Sequence, residues 1–208
     1  MNTPYKLIAI YIAGVNPENG EVYILNKNQD LKKINILFKD TKKDTFTFIC
    51  RESLKDLGHG TRHKVFHEEN TCYIQMHNLY KLGAYAFCEG NYPSNRVIYE
   101  ALSKSLEAFT QEVKKEWQIK KEDQDYKVIG CQKIFKDYQD VKNVSKVHEA
   151  QDEADKLGLI LHDNIKKLLE RQGDLDQLIE KSRDLNAASR QFLKDTNKLD
   201  RSCCCTIF

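Results

Sequence analysis

The sequence predicts an α+β fold: an antiparallel five-stranded sheet between helices, followed by a long helical coiled-coil segment. Three observations predict it. Strand-like and helix-like patterns run in the order two strands, a helix, three strands, then one or two helices. Ten Tyr and nine Phe lie mostly before residue 140, whereas the segment 147–199 is charged and nearly free of aromatics, Phe192 excepted. From Val147 to Leu199, positions in unbroken steps of three and four are mostly apolar or small.

Residues 7–13 are almost continuously apolar, as in a central strand covered on both faces. A turn cluster ending in Asn19-Gly20 leads to alternating residues 21–26, which completes a hairpin. Residues 31–38 read as a short strand or a loop. Residues 45–57 read as a helix with Phe46, Ile49 and Leu57 near one face and Phe48 beside it, stopped by Gly58 and Gly60. Val65, Cys72, Ile74 and Met76 lie in two alternating stretches, residues 82–88 form a third apolar run, and Asn70 and Asn78 mark the turns. Ser94 is placed to cap a helix over 95–117, whose Ile98, Ala101, Leu102, Leu106, Phe109 and Val113 repeat at helical spacing. Residues 128–138 form a short helix or strand, and 139–146 a linker. The expected units are therefore a domain over 1–138, the linker, a helical segment over 147–200 and a tail over 201–208.

The seam of the helical segment is Val147, Ala150, Ala154, Leu157, Leu161, Asn164, Leu168, Arg171, Leu175, Leu178, Ser182, Leu185, Ser189, Phe192, Thr196 and Leu199. Arg171 is a permanent charge at its middle. Burying a guanidinium costs several kcal/mol, roughly, unless acceptors meet it. Partner helices that bring oxygen acceptors to that layer are therefore implied. A plain coiled-coil dimer with one polar register residue is the simpler alternative. Against it, Ala150, Ala154, Ser182, Ser189 and Thr196 are small for a self-pairing zipper, and Gly158 and Gly173 each weaken the helix by about 1 kcal/mol relative to Ala.

The chain ends Cys203-Cys204-Cys205-Thr206-Ile207-Phe208. Its last four residues fit the C-a-a-X prenylation pattern, and a terminal Phe favours geranylgeranyl over farnesyl. Cys204 and Cys203 are available for a second lipid, which stable anchoring needs. Adjacent cysteines are poorly spaced for tetrahedral zinc.

A net charge of +2 gives no reason to expect a nucleic-acid partner. No targeting peptide precedes the first strand, and the run 7–15 is far short of the ~20 residues that span a bilayer. A cytosolic chain is expected, with Cys50, Cys72, Cys88 and Cys131 reduced and packed as small hydrophobes. His59, His63 and His67 recur every fourth residue, which invites a metal centre. The flanking glycines break any helix there, so solvated surface histidines are expected, with no metal and no cofactor. No phosphate loop or nucleophile constellation suggests an enzyme.

Leu168-Leu169-Glu170-Arg171, followed by Gly173-Asp174-Leu175 and the flanking layers, resembles an R-SNARE motif. The order of strands and helices before it, with Gly60-Thr61-Arg62 and Asn91-Tyr92-Pro93-Ser94, resembles the profilin-like longin domain. With the lipid-type tail, the whole chain resembles the Ykt-type family of longin R-SNAREs. The resemblance implies a four-helix bundle with three Q-SNARE helices, in which Arg171 meets three Gln side chains and Leu168 and Leu175 shield it. It implies prenylation of Cys205, by geranylgeranyl or farnesyl, and a palmitoyl or second prenyl group on Cys204, with Cys203 a further candidate. It also implies a closed form in which the SNARE segment folds back on the longin domain. Phe46, Phe48 and Ile49 are the candidate dock, with plain core packing the alternative for each. The expected function is vesicle-membrane fusion from the cytosol and from the cytoplasmic face of Golgi, vesicle and endosomal or vacuolar membranes. A longin-type adaptor or tether subunit is the alternative function.

Overall fold

The computed structural model describes residues 5–32, 34–67, 69–139 and 158–202. β1 (Lys6–Val15) and β2 (Val22–Gln29) form a hairpin. α1 (Ile36–Leu54) follows, then β3 (Arg62–His67), β4 (Asn70–Met76) and β5 (Leu82–Glu89). α2 (Asn95–Val113) and α3 (Ile129–Asp137) complete the N-terminal domain. β1 alternates between the two faces of the sheet. Ala9, Tyr11 and Ala13 join a core that includes Phe46, Phe48, Ile49 and Leu54 of α1. Ile10 and Ile12 join a second core with Ile98, Leu102, Leu106 and Phe109 of α2. The sheet is thus buried on both faces, which explains the continuous apolar run of β1.

The class is α+β as the patterning predicts, with two differences in detail. Among the described residues the sheet has six strands, in the order β2-β1-β5-β4-β3-β6. The sixth, β6 (Leu159–His162), comes from the C-terminal segment and pairs parallel to β3, so the sheet is mixed rather than antiparallel throughout. Beyond it the segment forms α4 (Ile165–Leu169), a 3-10 turn (Glu170–Gln172), α5 (Leu175–Lys181) and α6 (Ala187–Ser202) instead of one long helix. Gly158 at φ 91° and Gly173 at φ 125° stand at two of the breaks, in backbone conformations that suit glycine.

Smaller corrections concern helix ends. α1 starts at Ile36 rather than Thr45, so the 31–38 stretch supplies its first turn. Ile36 and Phe38 are exposed there, so no apolar stripe announces the start. Ser94 caps α2 by accepting from the Val97 amide at 3.3 Å. α2 stops at Val113 because Lys114 turns to φ 53°, and a 3-10 turn (Glu116–Ile119) then carries Trp117 into the second core. Gly14 is required where it stands: a Cβ there would lie 2.7 Å from the Trp117 ring.

Candidate functional site

The C-terminal segment packs on the α1 face of the sheet. Leu168, Leu175 and Leu185 of the predicted seam are buried in that core, and Leu178 and Phe192 pack against it half-buried. Ser182 and Ser189 are buried as well. The seam is joined by Ile165, Leu169, Ile179 and Leu193, all buried. Each of these four follows a seam residue directly in sequence. The surface used is therefore the seam widened by one column, and the widening was visible as apolar residues beside Asn164, Leu168, Leu178 and Phe192. Leu161 faces solvent at 61% exposure. Asn164 caps α4, its Oδ1 accepting from the Lys167 amide at 2.9 Å. Arg171 lies in the 3-10 turn, and its side chain is outside the described residues, as are those of Thr196 and Leu199. Val147, Ala150, Ala154, Leu157 and Cys203 to Cys205 are outside them too.

Polar contacts fix the register of this packing. Arg51 near the end of α1 is a buried hub. Its Nη1 donates to the Val22 carbonyl, its Nη2 to Asp123 Oδ2 at 2.6 Å, and its Nε lies 2.7 Å from Asp184 Oδ2. The last contact is a close ion pair. Burial pushes the Asp184 carboxyl above its usual pKa, and Arg51 only partly offsets this. Asp44 Oδ2 accepts from Ser189 Oγ at 3.1 Å and from the Asn186 amide at 3.3 Å. Arg190 closes the α5–α6 corner by donating to the carbonyls of Ile179, Ser182 and Leu185. None of these tethers was legible beforehand, since each joins residues far apart in sequence or a side chain to backbone.

Of the expected dock residues, Phe46 and Ile49 line a narrow apolar cavity of about 50 Å³, together with Ile165 and Phe192. Phe46 stacks on Phe87 at 4.0 Å. Phe48 is fully buried in the core and does not line the cavity. The cavity has room for a few waters only. Cys72 and Cys88 also line it, their thiols pushed far up by burial and hence protonated.

His63 is buried rather than solvated, because β6 covers the edge of β3. Its Nδ1 is 3.0 Å from His162 Nε2, and its Nε2 is 2.9 Å from Thr61 Oγ1. Among the described residues, no group of three His, Cys, Asp or Glu is placed to hold a metal ion. No described helix is long and apolar enough to cross a membrane.

The synaptobrevin family profile matches residues 146–208, the end of the chain that carries the seam. The synaptobrevin homolog YKT6 of Yarrowia lipolytica is 30% identical over 200 residues, covering 93% of this chain and 96% of that protein. The chain belongs to the Ykt-type longin R-SNAREs. The VAMP-like protein YKT61 of Arabidopsis thaliana is 28% identical over 97% of this chain and 99% of its own length. The Saccharomyces cerevisiae YKT6 homologue is 27% identical over 94% and 98%. This Ykt-type SNARE is therefore a vesicle-trafficking protein whose partners are other SNARE proteins, and it is not an enzyme.

Proposed function

We propose that this Ykt-type R-SNARE alternates between two uses of one seam. In the folded-back form the seam faces the longin domain. In the other, residues 147–199 zip with three Q-SNARE helices into a four-helix bundle that draws two membranes together. One observation carries the reading: Leu168, Leu175 and Leu185 are buried against the longin core, so they cannot face partner helices at the same time. The longin domain is then an inhibitor by competition.

Arg171 takes the central layer of the bundle, where five guanidinium donors meet neutral amide acceptors, with Leu168 and Leu175 excluding water. A prenyl group on Cys205, geranylgeranyl or farnesyl, with a second lipid on Cys204 or Cys203, holds the chain to the cytoplasmic face of Golgi, vesicle and endosomal or vacuolar membranes. The folded-back form is the cytosolic one. No cofactor takes part.

The test is circular dichroism of the full chain mixed with three Gln-bearing SNARE helices. A slow gain of helix is expected, and it should accelerate when the longin domain is removed. Arg171→Glu should lower the melting temperature of the bundle. No gain with any Q-SNARE set would replace fusion by the adaptor or tether reading.

A further inference from the structure

Ile36 is 77% exposed and Phe38 56%, both in the first turn of α1, while Ile34 just before them packs against the core. Single exposed apolar residues are ordinary. These two lie inside a basic stretch: residues 32–43 hold Lys32, Lys33, Lys39, Lys42 and Lys43 against one acid, Asp40. Lys43 pairs with Asp40 at 3.0 Å, and Lys42 with Glu89 at 2.9 Å. Exposed apolar side chains within a lysine-rich stretch match the interface of an anionic bilayer, where the rings and branches enter the acyl boundary and the ammonium groups meet the headgroups.

The place of this patch points the same way. α6 runs antiparallel to α1. Asp184, just before it, reaches Arg51, Ser189 reaches Asp44, and Phe192 lines the cavity with Lys42. From Phe192, α6 continues to Ser202, a further rise of about 15 Å. From Lys42, α1 runs back to Ile36, about 9 Å. Both helices end on the same side of the molecule, and Cys203 follows Ser202 directly.

We propose that Ile36 and Phe38, with Lys32, Lys39 and Lys43 close to them in sequence, form a contact site for an anionic phospholipid bilayer, beside the point where the chain leaves α6 for its cysteine tail. The site is borne by the longin domain and needs neither zippering nor a lipid. It supplies a second membrane signal, which a singly lipidated tail lacks.

The test uses the full chain with Cys203, Cys204 and Cys205 changed to Ser, so that no lipid can be attached. Co-sedimentation is measured at low salt with phosphatidylcholine vesicles and with vesicles holding about a third phosphatidylserine. Binding is expected to the anionic vesicles only. The pair Ile36→Asp and Phe38→Asp should lower it by at least about tenfold. Both positions are exposed, so the fold is kept, and unchanged circular dichroism verifies this. A separate Ile36→Trp chain should show a blue-shifted emission component on anionic vesicles, over the constant signal of buried Trp117. Three results would overturn the proposal: no sedimentation of the starting chain, equal binding to neutral vesicles, or full binding by the double variant. The first would give the patch to a protein partner or to the chain's own tail, and the third would place the vesicle contact elsewhere.

Discussion

Asp184→Ala should release α5 and α6 from the sheet without unfolding the longin domain. The Asp184 and Arg51 side chains are 11% and 8% exposed, so water screens their pairing poorly. After the substitution Arg51 keeps the Val22 carbonyl and Asp123. The loss is therefore one charge-assisted contact, about 1.5–3 kcal/mol, not the 3–5 kcal/mol, roughly, of a stranded buried charge. That converts to a rise of about 10- to 150-fold in the local opening equilibrium. Hydrogen exchange on the full chain reads it directly: amides of α5 and α6 should accelerate by that factor, and those of β1 and β5 should not. Asp184→Asn retains an oxygen for Arg51 and should fall between. Unchanged exchange in α5 and α6 would refute Arg51 as a tether, and equal acceleration in β1 would show that Asp184 serves the whole fold.

The same carboxyl gives a pH signature. Its pKa is raised in the packed state, so protonation adds stability beyond the Arg51 contact, and that increment is present at low pH and is lost as pH rises through the raised value. On going from neutral pH to about pH 4, opening of α5 and α6 should slow in the starting chain relative to Asp184→Asn, read by the same exchange measurement. Asp163 and Glu180, whose carboxyls Lys167 and Lys194 hold below the usual range, contribute with the opposite sign, but equally in both chains. In the hydrophobic part of the contact, Ile179→Ala should cost about 2–5 kcal/mol of segment docking, while Leu161→Ala, at 61% exposure, should be nearly silent in limited proteolysis of residues 158–202.

The strands of the N-terminal domain and α2 were legible because each is a periodic pattern, and period is local. Ser94 and the turn glycines likewise act within a few residues of themselves. What the seam faces was not legible, because a stripe of Leu, Ser and Phe fits its own longin domain or foreign helices by the same chemistry. The breaks at Gly158 and Gly173 were in plain view as weak helix formers, yet only the open edge of β3 decides that residues 159–162 become a strand. Arg51 looked like an ordinary helix residue, since Asp123 and Asp184 reach it only in three dimensions. His63 was misread for the same reason: its cover comes from β6.

Pairing of β6 with β3 also bears on solubility. When the C-terminal segment departs, Arg62 to Val65 lose their parallel neighbour, and a row of backbone amides and carbonyls faces water at the rim of the sheet. Such a rim invites strands from other molecules. In the proposed alternation the released protein is thus the more aggregation-prone one, and the segment, while packed on β3, covers that rim. Arg62 and Lys64, on the strand so uncovered, bring like charges together whenever two such rims approach.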